Sequence, residues 1–463
     1  MERRYIGNWS FYKRTLAIAV PLIIQSGITN FVSLLDNIMV GQIGTQQMSG
    51  VSIVNQLMIV LNLCVFGAVA GAGIFTAQYY GSGNHEGIRF SFRYKVLLCL
   101  AISALGITVL TVGDKLLIGL YLQGEGNPAD AAQTLRYGQE YLKVMLLGIA
   151  PFALSNAYAS TLRECGKASV PMTAGVVAVL TNLVLNYCLI YGNFGLPQMG
   201  VRGAALATAI SRYVELAIVA TWMHTHKSSQ PYIVGAYRSC YIPGKLLRQF
   251  AVKGMPLLVN EALFGAGLAM LNQCYSTCGL NVVPALNISS TIYSLSSVVY
   301  MSLGHAVGII MGQMLGAGNS RDVVMDANRK LTVLGVFCGV VFGALLAAIS
   351  GVFPLLYSTT DAVRTLATRL ILVSAAAMPI YAYIHPVYFT LRSGGKTIIT
   401  FLFDSGFLWV CAVPVAVVLS RFTDMSVVWL YAICSGIEIF KCIIGFFMIR
   451  SGGWMQNLAA KTK

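Results

Sequence analysis

The sequence predicts an all-α membrane protein: twelve transmembrane helices arranged as two pseudo-symmetric six-helix bundles. Three observations predict it. The chain of 463 residues is 57% hydrophobic and only 10% charged, with a mean hydropathy of +0.72. A soluble domain carries roughly 25% charged residues, and a chain this apolar would expose large sticky patches in water, so its solvent is lipid. The apolar residues fall in twelve continuous runs, each long enough to cross about 30 Å of hydrocarbon at 1.5 Å per residue. The runs do not alternate in ten-residue pieces, which excludes a barrel. Finally, residues 21–84 align without a gap on residues 256–319, 235 positions later. Pro21-Leu22 matches Pro256-Leu257, Gly73-Ile74 matches Gly308-Ile309, and Gln78 with Gly81 matches Gln313 with Gly316. Leu162-Arg163-Glu-Cys-Gly166-Lys167 is echoed by Leu391-Arg392-Ser-Gly-Gly395-Lys396.

The expected spans are 15–40, 48–79, 92–113, 138–162, 168–192, 201–223, 248–277, 283–314, 329–354, 366–391, 397–420 and 426–449. The first follows a basic stretch but is too long for a signal-peptide core and has no A-x-A site after it, so it reads as a retained span. Pro21 interrupts it and Gly27 loosens it. The second ends in the loop Gln78-x-x-Gly81-x-Gly83. The fourth opens at Glu140 and closes at Leu162-Arg-Glu-Cys-Gly166. The fifth carries Thr181, Asn182 and Asn186, and a Gly-rich loop joins it to the sixth, where Arg212 and Glu215 are three residues apart. Residues 224–247, with Pro231, Gly235 and Pro243, form a polar linker. The expected organisation is therefore an N-lobe over 1–223, the linker over 224–247, and a C-lobe over 248–463. The seventh span carries Glu261 five residues after Pro256, the tenth Tyr381 and His385, the eleventh Asp404, and the twelfth Glu438 with Lys441 three residues on.

Charge sets the orientation. With the N-terminus inside, 23 of the 31 Lys and Arg residues fall in cytoplasmic segments, around 3–14, 89–95, 163–167, 227–253, 321–330, 392–396 and 441–463. This positive-inside bias places both termini in the cytoplasm. It accounts for the net charge of +15 through topology and anionic lipid, without nucleic acid. Six helices per half is an even number, so the repeats are parallel, and duplicated bundles of this kind imply a transporter with its substrate path between the halves. The eleven cysteines are scattered and read as small apolar filler.

Ionisable and amide residues inside hydrocarbon are costly and are functional candidates by default. Asp36 has no basic residue in its own helix nearer than Arg14, so its partner comes from another element. That makes it the leading candidate to bind a cation, Na⁺ or H⁺. Glu261 and Asp404 also lack local partners. Glu215 and Glu438 have the bland explanation of a salt bridge to Arg212 and Lys441. Asn182 and Asn186 sit on one face of a helix. Beside a carboxylate their oxygens would suit a monovalent cation, or they serve as interhelical hydrogen bonds.

At these residues the chain resembles the multidrug and toxic compound extrusion (MATE) transporters, within a wider superfamily that includes lipid-linked flippases. The resemblance spans all twelve helices. It rests on Pro21 with Asp36-x-x-x-Val-Gly41, the Gln78-x-x-Gly81 loop, Leu162-Arg-Glu-Cys-Gly166, and Asn182-x-x-x-Asn186-Tyr-Cys-Leu-Ile-Tyr-Gly192-x-Phe-Gly195-x-Pro197-x-x-Gly200-x-x-Gly203. It implies a V-shaped pair of bundles that exports organic, often cationic, compounds in exchange for Na⁺ or H⁺ by alternating access, as a monomer in the inner cell membrane. It implies an N-lobe cation site at Asp36, Asn182, Asn186 and Thr208, with Asp36 the candidate ligand if the ion is Na⁺. Some members carry a second aspartate at the position of Asn186, and this chain does not. In the C-lobe, NorM-like members pair a helix 7 glutamate with a helix 10 aspartate. Here Glu261 lies about one turn earlier, the helix 10 position falls near Tyr381 with His385 one turn on, and Asp404 stands as the substitute acid. Met39, Tyr158, Phe264, Tyr293 and Tyr300 are candidates to line a substrate cavity through cation–π contact and adaptable packing.

Three other classes compete with this reading. A flippase for a lipid-linked metabolite shares the fold but favours a cationic cavity, whereas the buried charges here are mostly acidic. An ion channel wants repeated filter motifs. An enzyme wants clustered ligands that five scattered histidines do not supply, so no catalytic residue and no cofactor beyond the coupling ion is expected.

Overall fold

The computed structural model describes residues 5–122, 128–279, 281–357 and 359–460. Twelve helices are long and apolar enough to span a membrane. They are α1 (Trp9–Gly41), α2 (Thr45–Gly81), α3 (His85–Val112), α4 (Ala129–Glu164), α5 (Ser169–Tyr191), α6 (Val201–Thr225), α7 (Gly244–Ser276), α8 (Val282–Gly316), α9 (Arg321–Ile349), α10 (Asp361–Ser393), α11 (Thr397–Phe422) and α12 (Val427–Ser451). No strand occurs among the described residues. This is the all-α architecture the hydropathy predicts, in a multi-pass membrane protein.

The helices outrun the apolar windows. Helix α3 begins seven residues before its predicted start, and its first three turns carry Glu86, Arg89, Arg93 and Lys95. Helix α4 begins nine residues early, in a stretch that includes Asp130 and Arg136. Hydropathy reports the hydrocarbon, whereas a helix continues into the polar layer as long as its backbone hydrogen bonds are made. Two spans carry irregular turns. In α4, Leu146–Gly148 is 3₁₀, just before Pro151, whose ring crowds the carbonyl four residues earlier. In α11, Leu402–Gly406 and Leu408–Ala412 are π-helical, and Pro414 crowds the carbonyl of Val410 in the second of these turns.

Contacts divide the described chain into two compact units. One holds Ile24–Thr76 and His85–Gly254, the other Met1–Ile23, Ala77–Asn84 and Met255–Lys463. The first unit is packed around Val54, Leu142, Ile149, Ile190 and Ala205, contributed by α2, α4, α5 and α6. The linker after α6 is folded onto α3. Arg93 donates to the carbonyls of Gly235 (2.8 Å), Ala236 (2.6 Å) and Tyr241 (3.0 Å), and Arg89 donates to that of Tyr232 (3.1 Å). Gly235 takes the left-handed conformation that turns this strap. Tyr237 in the strap hydrogen-bonds the Tyr158 hydroxyl, and burial holds its phenol well above the usual tyrosine range, so it stays protonated.

The first unit also contains a fully buried lysine. Lys95 on α3 donates to Ser160 (3.1 Å), Thr161 (3.1 Å) and Glu164 (2.5 Å) on α4. All three ammonium hydrogens are used, and Gly73 leaves the space that the Glu164 carboxylate fills. Lys95→Met is expected to destabilise the protein by about 3–5 kcal/mol, because the buried Glu164 carboxylate loses its ammonium partner. Lys95→Met with Glu164→Leu is expected to recover most of that loss, and a thermal melt of the purified variants checks both.

In the second unit, glycines set the spacing. Gly335, Gly339 and Gly343 on α9 recur every four residues and face α10, where an added Cβ would lie 3.0 Å from the Ala382 carbonyl, 3.1 Å from that of Met378 and 2.7 Å from that of Ala375. Small residues at this spacing let membrane helices approach closely. The core here is Tyr300, Leu346, Ile371, Met378 and Ala382. The end of α2 joins this unit: Gln78, fully buried, donates to the carbonyls of Ser393 (2.8 Å) and Gln456 (3.0 Å) and accepts from the Leu458 amide (2.6 Å). The repeat partner of Gln78, Gln313 on α8, accepts from Arg14 at 2.7 Å.

Candidate ion-coupling sites

In the first unit the predicted N-lobe residues come together. Asp36 lies on α1, fifteen residues beyond Pro21; Asn182 and Asn186 lie on one face of α5; Thr208 lies on α6. The approach of these helices is set by small residues. Gly175 on α5 packs against Gln25 of α1, and Gly203 on α6 packs against the Leu189 carbonyl of α5. Gly192, Gly195 and Gly200 adopt positive φ in the connecting loop, which accounts for its glycine-rich sequence. Asn186 Nδ2 donates to Asp36 Oδ1 at 2.8 Å. With its amide oriented to satisfy its neighbours, Asn182 donates to Asp36 Oδ2 at 2.9 Å and accepts from the Thr208 hydroxyl at 3.1 Å. Both asparagines are buried, at 6% and 2% exposure. Asn186 Oδ1 is buried without a hydrogen-bond partner.

The same unit holds two features that bear on the charge of Asp36. Arg212, whose charge acts on Asp36, pairs with Glu215 at 3.3 Å and lies over the Phe152 ring at 4.8 Å. Tyr141 on α4 donates to Asn55 at 3.3 Å and is close enough to feel the Asp36 charge. The immediate ligands of Asp36 are thus neutral amides, with an arginine further out that is already partnered. Such a carboxylate can exchange one small cation, because among the described residues no cationic side chain pairs with it at contact distance.

The second unit is organised differently. Asp404, in the π-helical turn of α11, is 3.0 Å from the Lys441 ammonium of α12, which is also 3.5 Å from Glu438. Asn260 on α7, at 1% exposure, donates to the other Asp404 oxygen at 3.0 Å. Ser405 fixes that amide by donating to Asn260 Oδ1 at 2.7 Å. Glu261 and Arg392 are electrostatic neighbours of this cluster. Tyr381 and His385 on α10 stand in an aromatic group: the Tyr293 and Tyr300 hydroxyls are hydrogen-bonded at 2.5 Å, Tyr293 packs edge-on to Tyr381, and His385 lies 5.1 Å from the Tyr300 ring.

The other predicted residues are dispersed. The Met39 carbonyl accepts from Tyr191 at 3.1 Å, and its side chain packs against the core of the first unit. Tyr158 binds His224 (3.1 Å) and Tyr237 of the linker strap. Phe264 packs with Met270 against Leu408 and Val413 of α11. Asn260, Ser405 and Lys441 escaped the sequence-based site assignment. Asn260 carried the signal used for Asn182, an amide inside a hydrocarbon run, but Glu261 beside it drew the assignment. Sequence spacing pairs Lys441 only with Glu438, since its contact with Asp404 joins two helices.

Comparisons with known proteins agree with this architecture. The chain is 23% identical over 449 residues to NorM, a probable multidrug resistance protein of Thermotoga maritima, a match covering 96% of this chain and 93% of that one. Among solved structures it shares its fold with a MATE transporter of Vibrio cholerae (TM-score 0.84, 16% identity, 96% of this chain and 98% of that one). It shares it also with a MOP superfamily transporter from Pyrococcus furiosus (TM-score 0.83, 17% identity, 97% of each chain). The MatE family model matches twice, over residues 21–188 and 256–418, its two starts separated by the 235 residues of the internal repeat. The chain belongs to the MatE family.

Proposed function

We propose that this protein is a secondary active multidrug exporter that expels organic, often cationic, compounds in exchange for Na⁺ or H⁺ by alternating access. It works in the inner cell membrane as a monomer, with both termini cytoplasmic. Family membership and relatives named as multidrug resistance proteins support the transport class. The observation that carries the coupling step is Asp36, held between Asn182 and Asn186 inside the first unit.

The amides bear on how each ion would bind. With both NH₂ groups donating, the carboxylate is satisfied by donors, and a proton on Asp36 would displace one of them. A sodium ion needs oxygens instead. Rotating the amides would offer it the Asn182 and Asn186 Oδ1 atoms together with an Asp36 oxygen. Asn186 Oδ1, buried and without a partner, is available for that role. Either ion neutralises Asp36. Transport is coupled only if inward and outward states differ in their affinity for ion and drug.

The test is ethidium transport in proteoliposomes under an imposed Na⁺ gradient and, separately, an imposed pH gradient. Transport driven by one gradient and not the other is the expected result, and it names the ion. No transport under either gradient would remove the antiport reading and favour an amphipathic, lipid-linked substrate.

A further inference from the structure

The buried cluster of the second unit has the chemistry of an ammonium receptor, and the ammonium is its own. Lys441 Nζ lies 3.0 Å from Asp404 and 3.5 Å from Glu438, above the faces of Phe403 (5.4 Å) and Phe407 (5.9 Å). The Lys441 side chain is 4% exposed. Carboxylates set the charge and aromatic faces supply cation–π attraction, the combination by which proteins recognise alkylammonium groups. The cage is rigidly made. Asp404 is braced on its far oxygen by Asn260, Asn260 by Ser405, and Phe403, Asp404 and Ser405 all belong to one π-helical turn of α11. Among the titratable groups that interact with the cluster are His385, Glu261, Tyr293, Tyr381, Tyr388 and Cys442, and Arg392 acts on Glu261 in turn.

The two units differ in how their buried acids are met, although Asp36 and Asp404 are not repeat partners. In the first unit the Asp36 carboxylate meets neutral amides at contact distance, and the arginine whose charge acts on it, Arg212, is itself paired with Glu215. In the second, the balancing charge is covalently attached. We propose that Lys441 is a tethered counter-cation that fills an ammonium cage in the second unit, closes it to external cations, and leaves Asp36 as the exchange site. The last clause rests on the antiport reading above; the first two do not.

The test is chemical rescue. Lys441→Ala deletes a propylammonium fragment, so n-propylammonium is the probe, with Na⁺, K⁺ and choline as controls at matched ionic strength. Thermal unfolding of the purified, full-length variant is the readout. The midpoint is expected to fall by roughly 5–10 °C, because two buried carboxylates lose their counter-ion. It is expected to rise again, saturably, with n-propylammonium and not with the controls, and the wild type is expected not to respond. No response of the variant to n-propylammonium would overturn the proposal. So would an equal response to K⁺, or stabilisation of the wild type. A response selective for Na⁺ would make the cavity a metal-ion site and overturn it equally. If Lys441→Ala cannot be recovered from membranes, Glu438→Gln with Lys441→Ala carries less uncompensated charge; the same saturable response is expected there, and its absence overturns the proposal. Because the midpoint is read without substrate or gradient, failure of the ethidium assay leaves this result standing, and the reverse also holds.

Discussion

Asp36→Asn is expected to lower gradient-driven ethidium transport by roughly 5- to 150-fold, the range that a coupling free energy of 1–3 kcal/mol spans. The substitution keeps the shape of the side chain: its one oxygen still accepts from Asn186, and the Asn182 amide must turn to accept from the new NH₂. It removes the charge that a sodium ion or proton would neutralise. Packing is nearly unchanged, so the thermal midpoint of the purified variant is expected to stay within a few degrees of the wild type. Loss of coupled transport together with an intact melt assigns Asp36 to the ion. Transport at the wild-type rate and coupling would show that the exchange happens elsewhere, and Glu261 would be next to substitute. Asn186→Asp is the complementary change: a second carboxylate beside Asp36 repels the first, so one of the two is expected to hold a proton, shifting the preferred gradient toward pH.

Gly81→Val and Gly316→Val are each expected to cost roughly 3 kcal/mol or more and to abolish transport. These glycines are repeat partners at the ends of α2 and α8, and the helix ends touch there through bare backbone. An added Cβ on Gly81 would overlap the Gln313 carbonyl, and one on Gly316 would overlap that of Gln78. Neither obstacle is the far end of a flexible side chain that could swing aside. The helix ends must part, and Gln78 then loses its bonds to Ser393, Gln456 and Leu458. Limited proteolysis of the C-terminal segment reads this directly: cleavage near Trp454, which is 2% exposed, is expected to be faster in both variants. Protection equal to the wild type would mean that the crossing tolerates a side chain and that the glycines have another role.

Much of the first site was legible in the sequence. Asp36 stood out because a lone carboxylate in a hydrocarbon run is costly, and Asn182 and Asn186 because four residues on a helix place both amides on one face. Those arguments need only the solvent and the helix period. The second site was legible in its acids and not in its organisation. The spacing of Glu438 and Lys441 correctly gave a local pair, at 3.5 Å, but Lys441 lies closer still to Asp404, 37 residues earlier on another helix. The π-helical turn that carries Asp404 changes the direction of its side chain, and no periodicity of 3.6 residues foretells it.

By itself, the sequence determined the number of spans, the duplication and the identity of the buried polar residues. Hydrocarbon imposes a length and a polarity on every crossing segment regardless of its neighbours. Only the tertiary structure decided which of those polar residues meet an opposite charge on the chain and which meet neutral amides. Charge balance is settled at separations of 3 to 4 Å between side chains from different helices, and that depends on crossing angles, helical irregularities and the glycines that let backbones meet.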